Sequence, residues 1–229
     1  MTGQPQRVLL LIGSPRGAQS TSASLGSYLL SAMEKQGAKT EVIDLYQHLK
    51  SNGGRNDLME AVNRADILVF SSPLYIDCLP APVIAVLEMI RDRRMVAQPP
   101  WRQHLAALVN SGFPEPEQNA TALAIYRQFA KEAEFGWAGG LAFAPGAVIQ
   151  GKPLRDAGFV ARNARKSLEI AAEALARGGP VPSGAAKLAG KPLVPTWMFM
   201  LNANRSWKRE VKDPAVWKEM EKRPFRKNT

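Results

Sequence analysis

The chain reads as an α/β protein. Five parallel strands form a doubly wound sheet with helices on both faces, three layers in all, and a C-terminal extension follows. Three observations predict this. Short apolar runs alternate with longer amphipathic stretches through the first three-quarters of the 229 residues, the order a parallel sheet with crossover helices requires. The run at 66–72, Asp-Ile-Leu-Val-Phe-Ser-Ser, is apolar without alternation, as suits a strand covered on both faces. The first apolar run, finally, passes through a loop of small residues directly into an amphipathic helix.

Taken in order, residues 8–12 form the first strand, and a helix over 21–36 places Leu25, Leu29, Leu30 and Met33 on one face before Gly37 ends it. Residues 40–43 read as the second strand, closed by Asp44, and 56–65 as a short helix. The third strand at 66–72 is followed by a helix over 81–94. A fourth strand at 105–110 leads to a helix over 117–134 with Leu123, Tyr126, Phe129 and Ala130 on one side. The fifth strand is 137–143, and the last helix of the domain is 158–177. After Gly178-Gly179 the pattern changes: Pro180, Pro182, Pro192 and Pro195, an apolar patch at 197–201, and a charged end. The division expected is a domain at 1–179 and a basic, Pro-rich extension at 180–229.

Bulk composition narrows the classes. With 45% hydrophobic residues the chain can bury one sizeable core. A single cysteine, Cys78, excludes an intrachain disulfide and fits a reducing, cytoplasmic setting. His48, Cys78 and His104 are too scattered for a standard zinc site. No signal peptide is visible, and no apolar run approaches the ~20 residues of a membrane span. The net charge of +10 is unevenly shared: residues 180–229 hold 11 Lys/Arg and 4 Asp/Glu, and residues 1–179 hold 19 and 16. The charge therefore describes the extension, which can shield an anionic substrate or meet an anionic surface; nucleic acid is not the expected partner.

In a doubly wound sheet, ligands sit at the C-terminal edge of the strands, and three loops there are unusual. Gly13-Ser-Pro-Arg16 with Ser20-Thr21-Ser22 joins a helix start, whose free N–H groups attract anions, to an arginine able to bond two phosphate oxygens. The Walker loop is excluded because no lysine follows either glycine, and the dinucleotide fingerprint because Ser-Pro-Arg follows Gly13. An arginine among hydroxyls suits a terminal phosphomonoester. The alternative is an N-cap cluster beside a solvated charge. After the third strand, Pro73-Leu74-Tyr75-Ile76 precede Pro80 and Pro82; after the fourth come Asn110-Ser111-Gly112-Phe113. One anion loop and two aromatic-bearing loops on one edge describe a pocket for a planar heterocycle attached to a phosphate. Tyr75 as a core aromatic, and Phe113 packed against the following helix, are the competing readings. Cys78 is expected to be buried or semi-buried, and His104 structural. Asp77 and Glu115 are read as solvated carboxylates rather than an acid/base pair.

Gly13-Ser14-Pro15-Arg16 with the Ser20-Thr21-Ser22 helix start, and Pro73-Leu-Tyr75 followed by Pro80 and 83–88, resemble the two motifs of the flavodoxin-like NAD(P)H-dependent FMN reductases and quinone reductases. The resemblance spans roughly residues 7–177. It implies noncovalent FMN, NAD(P)H as co-substrate, and a quinone, flavin, nitro or azo compound, or chromate as acceptor. It further implies that Ser14, Arg16, Ser20, Thr21 and Ser22 hold the FMN phosphate. Pro73, Leu74, Tyr75 and Ile76 would line the ribityl chain and ring edge, and Asn110, Ser111, Gly112 and Phe113 the pyrimidine end. The loop at 110–115 and the extension depart from the family pattern. A homodimer is expected, with the patch at 197–201 packed on its own domain or across the twofold. The rival reading is a non-catalytic flavodoxin-like electron carrier or FMN-binding regulator.

Overall fold

A computed structural model describes residues 6–97 and 101–211, together with Val216, Glu219 and Lys222. The elements run β1 (Arg7–Ile12), α1 (Thr21–Glu34), β2 (Lys39–Asp44), α2 (Leu45–His48), α3 (Asn52–Arg64), β3 (Ile67–Pro73), α4 (Ala81–Val96), β4 (His104–Asn110), α5 (Ala120–Glu132), β5 (Gly136–Phe143), α6 (Arg162–Ala176), α7 (Ser183–Ala189) and α8 (Thr196–Glu210). The strands form one parallel sheet in the order β2-β1-β3-β4-β5. This is the doubly wound order of flavodoxin-like folds, with its switch point between β1 and β3.

Successive side chains of a strand point to opposite faces, so each buried strand feeds two cores. Val8, Leu10, Ile12, Val69, Leu108 and Leu141 meet α1, α6 and α7 on one face. Leu9, Leu11, Leu68, Phe70, Leu105 and Val109 meet α3, α4 and α5 on the other. Each leucine buried in this way stabilises the fold by about 1.5–3 kcal/mol. This double coverage explains why β3 shows no polar alternation.

Local capping shifts several boundaries. The helix expected from 56 starts at Asn52, because Ser51 Oγ accepts the Gly54 N–H at 3.0 Å. Asp44 caps a helical turn that the sequence did not suggest, its Oδ1 accepting the N–H of Tyr46 at 2.9 Å and of Gln47 at 3.4 Å. The helices expected from 117 and 158 begin instead with 3-10 turns at Pro116–Asn119 and Gly158–Ala161.

The chain forms two compact units, Met1–Leu193 and Val194–Thr229, and the first part of the extension packs on the domain. Val181 donates its N–H to Ala138 O at 2.7 Å, covering an edge strand that would otherwise present unpaired groups. Ser167 Oγ donates to Ala185 O at 2.8 Å, Ala185 and Ala189 are buried, and the Leu193 N–H reaches Ala144 O at 2.8 Å. The second unit contains α8, none of whose residues is buried.

At the N-terminal edge of the sheet, the buried Arg94 guanidinium donates to Gln103 Oε1 and to the carbonyls of Ala133 and Glu134, and lies 4.0 Å over the Phe135 ring. Arg7 pairs with Asp66 at 2.8 Å and rests over Trp101.

Candidate functional site

The C-terminal edge of the sheet is tied together from beneath. Ser71 Oγ donates to Ser22 O at 2.7 Å, and Asn110 Nδ2 donates to Ser22 Oγ at 2.8 Å and to Ser72 O at 3.2 Å. The Ser111 N–H bonds Phe143 O at 3.2 Å, Gly146 returns its N–H to Ser111 O at 2.7 Å, and Thr21 Oγ1 donates to Gly146 O at 2.9 Å. The ends of β3, β4 and β5 and the first turn of α1 thus share one buried polar floor. Ser72 Oγ and Tyr126 OH, 2.9 Å apart, extend it to α5; complete burial holds the Tyr126 phenol far above its usual range, only partly offset by Ser72.

On this floor the sequence-expected anion residues separate into two groups. Ser20 is the N-cap of α1: its Oγ donates to Gly17 O at 2.6 Å and accepts the Ala23 N–H at 3.0 Å. The hydroxyls of Thr21 and Ser22 are engaged as described, so all three serve the fold. What this leaves for an anion is the helix start itself, with the N–H groups of Thr21 and Ser22, the Ser14 hydroxyl and the exposed Arg16. Gly17 at φ +50° turns the chain here, and a Cβ on it would lie 2.5 Å from Asp44 Oδ2. That donor set (an arginine, a hydroxyl and a helix N-terminus) fits a phosphate dianion.

The loop after β3 is constructed on other terms. Tyr75 and Cys78 exchange N–H···O bonds at 2.9 and 3.1 Å around Ile76 and Asp77, both in the left-handed region at φ +47° and +57°. Two such residues between paired strand ends describe a type I′ turn, which normally takes Asn-Gly. A β-branched residue there is strained. The turn leaves Tyr75 47% exposed and Ile76 99% exposed, so Tyr75 is not a core aromatic. Pro73 and Leu74 are half-buried, the Leu74 N–H bonding Asn110 O at 2.8 Å. Cys78, expected to be buried or semi-buried, is exposed: the turn faces it outward.

After β4, Asn110 and Ser111 are buried in the floor, whereas Gly112 and Phe113 stand out, the ring 64% exposed. Phe113 therefore does not pack against α5. Asn119 supports this loop from below, donating through Nδ2 to Ser111 Oγ and Pro116 O, while its fully buried Oδ1 has no partner. Asp77 and Glu115 are both exposed and no hydrogen bond joins them. His104 lies at the opposite edge of the sheet, where burial and Arg102 lower its imidazole pKa.

Two segments that the sequence did not single out also belong to the site. Tyr46 on α2 is half-buried, its phenol raised first by burial and then by Tyr75 and Asp44. The loop after β5 contacts the anion loop at Gly151, where φ is +71° and a Cβ would meet Gln19 O at 2.0 Å. Asp44 closing a strand was a visible capping signal; the β5 loop gave none. A concavity of about 740 Å³ opens beside Ala18 and Gly151 and follows α1 past Ser27, Ser31 and Lys35. It adjoins the anion loop but includes neither Tyr75 nor Phe113.

A family model described as NADPH-dependent FMN reductase matches residues 6–125. No curated protein matches the chain. Among solved structures it is similar to a flavone reductase, at 14% identity and TM-score 0.51 over 71% of this chain and 63% of that one. It is also similar to the rubredoxin oxygen:oxidoreductase of Desulfovibrio gigas, at 12% identity and TM-score 0.50 over 76% and 37%. The azoreductase from Bacillus anthracis str. Sterne aligns at 13% identity and TM-score 0.46 over 72% and 99%. The chain thus spans less than two thirds of the flavone reductase, and identities this low speak to the fold alone.

Proposed function

The chain belongs to the NADPH-dependent FMN reductase family, and on that premise we propose that it binds FMN at the C-terminal edge of its sheet and carries electrons from NAD(P)H to a small oxidised acceptor such as a quinone or a free flavin. Arg16, Ser14 and the N–H groups of Thr21 and Ser22 hold the phosphate. Pro73, Leu74, Tyr75 and Ile76 flank the ribityl chain and one side of the ring. Ser111, Gly112 and Phe113 face its pyrimidine end, and Asn110 fixes that loop from below. When bound, FMN supplies the two-electron chemistry between nicotinamide and acceptor. The protein's part is to position: the buried polar floor holds three loops in fixed relation, and the exposed rings of Tyr75 and Phe113 shield a flat reactant from water.

A single observation supports this reading most strongly. An anion-ready helix start and two solvent-facing aromatic rings share one sheet edge, although neither ring contributes to the core. The electron-carrier alternative receives no comparable support, since residues 1–179, with 19 Lys/Arg and 16 Asp/Glu, lack the acidic excess such carriers present to partners. Titration of apo-protein with FMN, followed by NAD(P)H oxidation with a quinone, tests the proposal. Arg16→Glu, on an exposed side chain, should weaken FMN about 100-fold, the scale of a lost and reversed charge-assisted bond of about 3 kcal/mol, with the melting temperature unchanged. Unaltered affinity rejects the phosphate assignment, and FMN binding without turnover rejects the reductase in favour of the carrier.

A further inference from the structure

Helix α8 lies in the second compact unit, and no residue along its 15-residue length is buried. At 100° per residue, Trp197, Met200, Leu201 and Trp207 fall on one side, and all four are solvent-exposed, Trp197 by 70% and Trp207 by 55%. The two indoles are ten positions apart, about 15 Å along the axis. Arg205 and Arg209 stand on the adjoining side, while Asn204 and Lys208 lie within the arc itself, where the long lysine stem can carry its ammonium out to the headgroups. Residues 194–229 hold nine Lys/Arg against four Asp/Glu. No helix among the described residues is long and apolar enough to cross a membrane.

From this pattern we infer that α8 docks on an anionic lipid surface, lying in the plane of the interface with its Trp197–Trp207 face among the acyl chains and its arginines at the headgroups. Charge decides among occupants. A second copy would bring the same positive segment against itself. A nucleic acid would meet the charge but leave Met200 and Leu201 without an apolar partner. An anionic bilayer satisfies both faces, and indoles favour the boundary between hydrocarbon and headgroup. The inference is independent of the redox reading, since it involves no residue of the flavin edge.

Full-length protein is mixed with sucrose-loaded vesicles of phosphatidylcholine, alone or with about a third phosphatidylglycerol, and sedimented. The expected result is at least about tenfold more protein on the anionic vesicles, with tryptophan emission quenched by brominated acyl chains. Trp197→Ala/Trp207→Ala should reduce partitioning about tenfold at an unchanged melting temperature. Arg205→Glu/Arg209→Glu, or raised salt, should abolish the preference for anionic vesicles. Absence of vesicle binding overturns the inference. So does binding indifferent to the tryptophan changes, which would make the attraction electrostatic alone. A dimer dissociated by the same tryptophan changes would assign the face to a second copy, and salt-sensitive retention of single-stranded DNA in place of vesicles would assign it to nucleic acid; either result replaces the lipid.

Discussion

The loops after β1 and β3 end neighbouring strands, yet they are made in opposite ways. In the first, every hydroxyl of Ser20, Thr21 and Ser22 has a protein partner and the side chains are buried. In the second, a strained two-residue turn holds Ile76 fully in solvent and Tyr75 half out. One loop is fixed by the fold and presents backbone N–H groups; the other accepts strain to present side chains. Under the proposed function, the difference separates binding from selection. An anchor for a dianion must be preorganised, because any reorganisation subtracts from affinity, whereas a surface that meets exchangeable reactants is free to be open and apolar.

The largest effect should come from breaking the anchor through its neighbour. Gly151→Ala places a Cβ against the Gln19 carbonyl in a backbone region that alanine disfavours, and should destabilise the protein by about 3 kcal/mol. Calorimetry reads the loss, and FMN affinity should fall with it because Gln19 belongs to the anion loop; an unshifted melting curve would mean the two loops are not coupled. Ser20→Ala removes one cap, for about 1 kcal/mol by urea denaturation. Ile76→Gly sharpens the contrast because its sign is reversed. Relief of the positive φ should raise stability by about 0.5 kcal/mol while kcat/KM for the acceptor drops several-fold. A gain in stability with full activity would make the turn merely structural.

The smallest effect concerns the rear of α1. Tyr28 OH donates to Glu169 at 2.6 Å, and burial together with that bond pushes its pKa from 10.0 to about 12. Folding therefore raises the proton affinity of this phenol. The stability it provides is complete below pH 10 and declines as pH climbs toward about 12. Tyr28→Phe should flatten that alkaline limb without touching FMN affinity, as pH-dependent melting would show.

The fold was legible because its signals are local and repeated. The uninterrupted apolar run of β3 and the helical spacing of Leu25, Leu29, Leu30 and Met33 determine both position and orientation. The α/β, flavodoxin-like class and the family resemblance agree with the sheet order and with the match over residues 6–125. Site residues were legible by position and less so by role. Composition reveals that Thr21 and Ser22 carry hydroxyls, but only the return of the β5 loop and of Asn110 shows what those hydroxyls bond. Cys78, expected to be buried or semi-buried, is exposed because of the left-handed pair at 76–77, which no propensity would place on isoleucine. Proline marks the segment from Val181 to Leu193 as an extension, but the place where it attaches depends on β5 being an edge strand, a property of topology that sequence spacing does not carry.

Arg94 separates the two ends of this molecule in their tolerance of change. By gathering α4, the approach to β4 and the turn before β5 onto one guanidinium, it clamps the sheet at the rim opposite the candidate site. Loops can then be lengthened, shortened or exchanged at the opposite rim without loosening the strands that carry them. A scaffold clamped at one end leaves the other free to vary.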